Sequence, residues 1–263
     1  MEKIPSAKRL VTEKGKMYHV RVEPKEVGKY IFLPGDPDRV KVIAAKLDDS
    51  HMISEHREFT VWNGYIEGEL VTVCSTGIGG PATAIVVEEL TSCGAKVFIR
   101  VGSCGAIQEF IRPGDLILPT SAVRLDGTSK SYIFPEYPAV ASNHLIGVLE
   151  QAAKKEGYKY HVGIVASTDS FYVGQSRPGF QDYLPQESVE LINALRSANV
   201  LCFEMETSTL FTIANIYGLH AGCVLATFAN RVTNEFEVKG EEEAVTVAVE
   251  SVRLFMKEKI LQE

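Results

Sequence analysis

Residues 70–106 read LVTVCSTGIGGPATAIVVEELTSCGAKVFIRVGSCGA. An apolar, β-branched run ends in a glycine turn, and Ala82, Ile85, Val86 and Leu90 then recur on one helical face until Gly94 stops the helix. A second strand, KVFIR, follows and runs into a second glycine turn, VGSCG. Strand, turn, helix and strand in so short a span describe a βαβ unit, and therefore parallel strands covered by helices.

The plan extends in both directions. YIFLPGDPDRVKVIAAKL (30–47) repeats it upstream: a short strand, a turn with Pro34, Gly35 and Pro37, then Val40, Ile43, Ala44 and Leu47 at helical spacing. Downstream, DLILPTSAV (115–123), HVGIVAS (161–167), VLCFEME (200–206) and AGCVLATFA (221–229) read as strands. Helices are expected at roughly 143–156, 206–217 and 241–258, the first two closed by Gly157 and Gly218. The expected fold is α/β: one domain spanning residues 1–263, with a central mixed, mostly parallel sheet between layers of helices. Ligands of such sheets sit at the carboxyl ends of the strands, where the glycine turns are. Two segments break the rhythm, 124–142 and 171–188. Their aromatic, Arg, Gly and Pro residues are those of surface loops that close over a site.

Composition narrows the function. The 263 residues carry a net charge of −7, which speaks against a nucleic-acid partner, because phosphate-backbone affinity needs a cationic surface. No apolar run is long enough to cross a bilayer, and MEKIPSAKRLVTEKGK lacks the apolar core of a secretory signal, so a cytoplasmic protein without membrane contact is expected. The five cysteines, Cys74, Cys93, Cys104, Cys202 and Cys223, are odd in number and form no C-x-x-C pair. That argues against a disulfide framework or a zinc site, and no other metal ligand set is visible.

Arginines recur at predicted strand ends: Arg39, Arg57, Arg100 and Arg231. With Gly35 and Ser103, Arg39 and Arg100 suggest an oxyanion site, since strand-end glycines let backbone N–H groups approach an anion and Arg offers two parallel donors. No glycine loop carries the Walker lysine or a G-x-G-x-x-G with its acidic partner, so the anion is small: phosphate or a phosphorylated metabolite. Glu204 and Glu206 flank Met205 where an apolar strand gives way to a helix. In extended backbone residues two apart share a side, so both carboxylates can face one pocket. A carboxylate directly after an apolar strand needs a partner, either an Arg or a ligand hydroxyl. Carboxylates for a diol beside arginines for a phosphate suggest a ribose.

Taken in order, PGDPDR (34–39), HREFTVWNG (56–64), VCSTGIGGP (73–81), IRVGSCGAI (99–107), VRLDG (123–127), FYVGQSR (171–177), FEMET (203–207) and ANR (229–231) resemble the nucleoside phosphorylase I superfamily, on its uridine-cleaving branch. The resemblance runs from about residue 19 to 255. It implies a pentosyltransferase of pyrimidine salvage that converts uridine and phosphate to uracil and ribose 1-phosphate. Gly35, Arg39, Arg100 and Ser103 then resemble the phosphate site, completed by Arg57 from a neighbouring subunit. Met205 and Glu206 resemble the ribose pair, with His19 reaching the 5′ hydroxyl from the partner. Phe171, Gln175 and Arg177 resemble the uracil pocket, with Arg231 near the base, and Arg177, Gln175, Arg100 and Glu206 carry the catalysis. The resemblance also implies a homo-oligomer, at least a dimer with shared sites and in the family a hexameric ring of three dimers.

Inorganic phosphate is a co-substrate in this reading, and no cofactor is implied. The chain departs from the branch in three places. Ser103-Cys104 stands for a pair of threonines, Phe228-Ala229 for smaller aliphatic residues, and Ala82 for the hydroxyl that would help Glu58 hold an inter-subunit monovalent cation. Asn230-Arg231 replaces the Asp with which purine-selective relatives bind the base, which points to pyrimidines. The alternatives are a purine or broad-specificity phosphorylase, a hydrolase that uses water, and a nucleoside-binding protein without turnover.

Overall fold

Tyr30 and Phe32 of strand β1 (Tyr30–Pro34) pack into one apolar cluster, and Ile31 and Leu33 into another. The alternation follows from the two-residue period of a strand, and it requires helices on both faces of the sheet. In the computed structural model, which describes residues 10–12 and 15–262, both layers are present. Helices α1 (Pro37–Ala44), α4 (Asn143–Glu156) and α7 (Glu241–Lys257) cover the face of Phe32. Helices α2 (Gly80–Ser92) and α6 (Thr207–Ile216) cover that of Leu33, joined by the short α3 (Gly127–Tyr132). A smaller cluster of Ile107, Ala166, Leu195, Val200 and Phe203 seats α5 (Gln186–Ser197).

The remaining strands are β2 (Asp48–His56), β3 (Phe59–Ile66), β4 (Glu69–Cys74), β5 (Val97–Ala106), β6 (Leu116–Arg124), β7 (Ala139–Val140), β8 (Tyr160–Ser167), β9 (Cys202–Glu204), β10 (His220–Asn230) and β11 (Glu235–Phe236). All belong to one mixed sheet, β11-β10-β6-β8-β9-β5-β1-β4-β3-β2, with β7 beside β6. Its central pairs, β4–β1, β1–β5, β5–β10 and β6–β8, are parallel; the β2–β3–β4 end is antiparallel.

Strand β5 organises the rest. Along one edge it pairs with β10 from Val97 to Ala106. Its other edge is shared: β1 takes Val97–Val101, and β9 takes Gly105 and Ala106. Residues 102–104 lie in the fork between them. Because β10 also pairs with β6, the strands β5, β10, β6, β8 and β9 close into a ring from which β1, β4, β3 and β2 extend as an open sheet. A register shift between Thr227 and Ala229 bends β10 where the ring closes.

The expected α1, α2, α4, α6 and α7 are all found. Two features depart from the sequence expectation. Residues 48–66 form the β2–β3 hairpin, although β2, DDSHMISEH, is mostly exposed and lacks an apolar alternation. It is an edge strand with two register shifts, which need no buried face. Residues 186–197 form α5, whose single buried residue, Leu195, gives too thin an apolar stripe to read as a helix beside the preceding loop. The five cysteines are all buried. Among the described residues no helix is long and apolar enough to cross a membrane.

Candidate active site

A cleft of about 1010 Å3 opens over the fork in β5. Gly35 leaves β1 on one side, Glu204–Glu206 leave β9 on the other, and Ser103 and Cys104 lie between them. Ten of the residues singled out from the sequence line this cleft: Gly35, Arg39, Arg100 and Ser103; Met205 and Glu206; Phe171, Gln175, Arg177 and Arg231.

Arg100 is its hub. The buried guanidinium donates through Nη2 to Glu206 Oε2, while Nε stands 3.5 Å from Glu204 Oε2 without forming a hydrogen bond. Nη1 has no partner, and it faces the Gly35 turn, where a Cβ on Gly35 would lie 3.9 Å from it. A buried, unpaired N–H of a cation is costly unless something arrives to accept it. Burial alone would lower the pKa of Arg100, but Glu206 and Glu204 outweigh it and keep the group a firm cation.

Glu206 is held from two directions. Its Oε1 accepts from Gly79 N–H at 2.5 Å, at the N-terminus of α2, and its Oε2 from Arg100. Gly79 has φ +95°, a conformation that glycine adopts freely and other residues rarely do. Burial nevertheless lifts the Glu206 carboxyl above the ordinary glutamate range; Arg100 pulls it back only in part, and Glu204 pushes it further up. Glu204 finds the partners its position demanded. Oε2 accepts from the backbone N–H groups of Glu206 (2.9 Å) and Thr207 (2.8 Å), capping α6, and Oε1 accepts from the Ser167 hydroxyl. Glu204 therefore holds the turn that aims Glu206.

The two glycines flanking Ser103 and Cys104 act differently from the sequence expectation. A Cβ on Gly102 would come 3.0 Å from Arg100 Nη2, and one on Gly105 would come 3.2 Å from Arg177 Nη2. Both lie inside β5, which runs on through the glycine turn expected after Arg100, and they make room for the two guanidinium groups.

At the far end of the cleft Arg177 lies over the ring of Phe171, 4.1 Å from its centroid. Its Nη1 donates to Phe171 O at 2.9 Å and to Gln175 Oε1. Burial, and then the charge of Arg231, draw the Arg177 pKa down to about 10, still a cation at neutral pH. Arg231 donates to Gln175 O (2.8 Å) and Ser176 O (3.0 Å), so it clasps the base loop as well as lining the cleft.

Two of the site residues, both expected to serve a neighbouring subunit, and one of the two expected loops lie outside this cleft. Arg57, in the β2–β3 turn at φ +57°, is exposed and does not line this chain's cleft. His19 also stands apart, its Nδ1 2.7 Å from Glu89 Oε1. The segment 124–142 does not close over the cleft: Arg124 and Asp126 tie it into the protein by buried hydrogen bonds, and none of its residues line the site. Glu58 and Ala82 both line the cleft wall. Sequence reading missed Glu241, which meets Arg39, and gave no role to Gly79; the glycine pair of GIGG, just before the helical spacing begins, was the available signal.

The family model described as Phosphorylase superfamily matches residues 29–259. Uridine phosphorylase of Thermococcus kodakarensis is 54% identical over 97% of this chain and 92% of its own. Uridine phosphorylase of Haemophilus influenzae is 43% identical over 85% and 91%. Guanosine phosphorylase of Halorubrum lacusprofundi is 39% identical over 82% and 85%.

Proposed function

The chain belongs to the phosphorylase superfamily, and we propose that it catalyses the reversible phosphorolysis of uridine to uracil and ribose 1-phosphate. The observation that carries this reading is Arg100: one buried guanidinium holds the carboxylate at the ribose position and presents an unpaired donor beside Gly35.

Phosphate binds to Gly35, Arg39, Arg100 and Ser103, and Arg57 of a neighbouring subunit completes the subsite. Glu206 accepts from the 2′ and 3′ hydroxyls of the ribose, Met205 packs against the sugar, and His19 reaches the 5′ hydroxyl from the partner. The N1–C1′ bond breaks with its electron pair passing to the base, and a phosphate oxygen forms the new bond to C1′. Positive charge on the sugar is met by the bound phosphate. Negative charge on the departing uracil is met by Arg177 and Gln175, donors set in place before the charge develops, and the base then takes up a proton. Phe171 forms the wall of the base subsite, and Arg231 fixes the loop that carries Gln175. Positioning and electrostatics supply the catalysis, with phosphate as co-substrate and no cofactor.

That Arg57 and His19 lie outside their own chain's cleft supports a homo-oligomer with shared sites, a dimer as the minimum and a hexamer as the full assembly. The free thiols of Cys74, Cys104, Cys202 and Cys223 suit a reducing cytoplasm and an enzyme of pyrimidine salvage.

The guanosine phosphorylase relative makes a purine substrate the second reading. Asn230 speaks for pyrimidines. Its Nδ2 donates to Gln108 O and Ile111 O, and its Oδ1 accepts from Val232 and Thr233 N–H, so the amide that lines the cleft has its hydrogen bonds taken up within the protein. The deciding experiment follows the ultraviolet absorbance of uridine with and without phosphate, beside inosine and guanosine. Phosphate-dependent loss of uridine is the expected result; rapid purine cleavage with uridine inert would overturn it.

A further inference from the structure

Both buried arginines assigned to phosphate already touch a carboxylate. Arg100 meets Glu206, which also serves the ribose. Arg39 meets Glu241, 202 residues further along the chain and without any part in the scheme above.

Glu241 opens α7, and its backbone is firmly seated. Gly240 precedes it at φ +87°, where a Cβ would stand 2.9 Å from Gly114 O; Gly114 N–H in turn donates to Thr227 O of β10 at 2.9 Å. No larger residue fits that approach, so the start of α7 is docked onto the ring that forms the cleft. From there Glu241 grips Arg39 side-on. Oε2 accepts from Nη2 at 3.3 Å, and Oε1 lies 3.0 Å from Nε, close but not aligned as a hydrogen bond. On the other edge Nη1 donates to Val101 O at 3.2 Å. Held on two edges, the guanidinium keeps its remaining Nη hydrogens for the cleft it lines. A long, rotamer-rich side chain fixed before the ligand arrives loses less freedom on binding.

We propose that Glu241 is a positioning residue for the phosphate co-substrate, acting through Arg39. The inference rests on the assignment of Arg39 to phosphate. It predicts an effect on phosphate alone, because Glu241 touches neither Arg177 nor the ribose carboxylate.

The test is steady-state kinetics with phosphate and uridine varied separately, on the wild type, Glu241→Ala, Glu241→Gln, Arg39→Ala and the Arg39→Ala/Glu241→Ala double variant, each checked by thermal melting. Glu241→Ala is expected to raise the phosphate KM about tenfold, with kcat and the uridine KM little changed. Glu241→Gln, which keeps an acceptor for Nη2, should recover most of that loss. In the Arg39→Ala background, removal of Glu241 should add nothing, the non-additivity expected of two residues acting as one unit. An unchanged phosphate KM in Glu241→Ala, with a raised one in Arg39→Ala, overturns the role of Glu241 and leaves the phosphate subsite standing. An unchanged phosphate KM in Arg39→Ala removes that residue from the subsite and the proposal with it. Uridine cleavage without phosphate overturns the phosphorolysis itself.

Discussion

Arg124 and Arg100 lie almost equally deep, at 7% and 5% exposure, and use their donors in opposite ways. Arg124 is saturated: Nε donates to the Ser129 hydroxyl, Nη1 to the carbonyls of Phe134, Pro135 and Tyr137, and Nη2 to those of Ser129 and Ile133. Arg100 leaves Nη1 and Nε without a hydrogen bond. The carboxylates beside them differ in the same sense. Asp126 accepts from Ser129 N–H and from the hydroxyls of Ser129, Ser208 and Thr209. Burial pushes its pKa up, yet these bonds prevail and hold it below the ordinary aspartate value. Glu206 is pushed above its own. Burial alone therefore does not separate these two arginine clusters; the unfilled donors of Arg100, aimed into the cleft it lines, do.

That contrast can be broken most directly at the arginines. Arg100→Ala removes a donor from both the phosphate and the ribose subsites, and kcat/KM should fall about a thousandfold or more. Arg124→Ala strands several buried carbonyls and should lower stability by about 3 kcal/mol in chemical denaturation, with turnover per folded molecule unchanged. If Arg124→Ala loses turnover as Arg100→Ala does, the two regions are not functionally separate. Arg177→Ala should reduce kcat/KM for uridine about a hundredfold while the phosphate KM holds. A parallel rise in the phosphate KM would show that the two ends of the cleft are coupled.

The smallest effects concern pH. A lowered folded pKa gives Asp126 a stabilising contribution that is complete above the ordinary aspartate value of 3.8 and is lost as the pH falls through the folded value. Asp126→Asn should therefore be less stable than wild type at pH 7, and the gap should narrow below pH 3.8. For Glu206 the sign reverses. A raised folded pKa means that ionising it costs stability as the pH climbs from 4.5 through the folded value. Glu206→Gln should melt higher than wild type at pH 7 without ligand, while turning over poorly. A lower melting temperature at pH 7 would show that its bonds to Arg100 and Gly79 outweigh the cost of burial.

Much of this was legible residue by residue. The 3.6-residue spacing of Val40, Ile43 and Ala44 gave α1, and Gly157 marked the end of α4, which it caps at φ +72°. Gly35, Arg39, Arg100, Ser103, Met205 and Glu206 could be singled out because each belongs to a glycine-, arginine- or glutamate-bearing segment that closes or follows an apolar run. The segment 124–142 was misjudged because its composition is that of a surface loop. Its six arginine hydrogen bonds leave no trace in local sequence.

By itself the sequence determined the α/β class, the helices α1, α2, α4, α6 and α7, and the segments where ligand chemistry gathers, because periodicity, glycine stops and the placement of charge after apolar runs are local properties. Tertiary structure alone decided that β5 forks, that β10 closes a ring through β6, and that Glu241 reaches back to Arg39. It also decided which buried arginine is left with a donor to offer. These are relations between residues far apart in the chain, and hydrogen-bond satisfaction is settled only when every competing acceptor has its place.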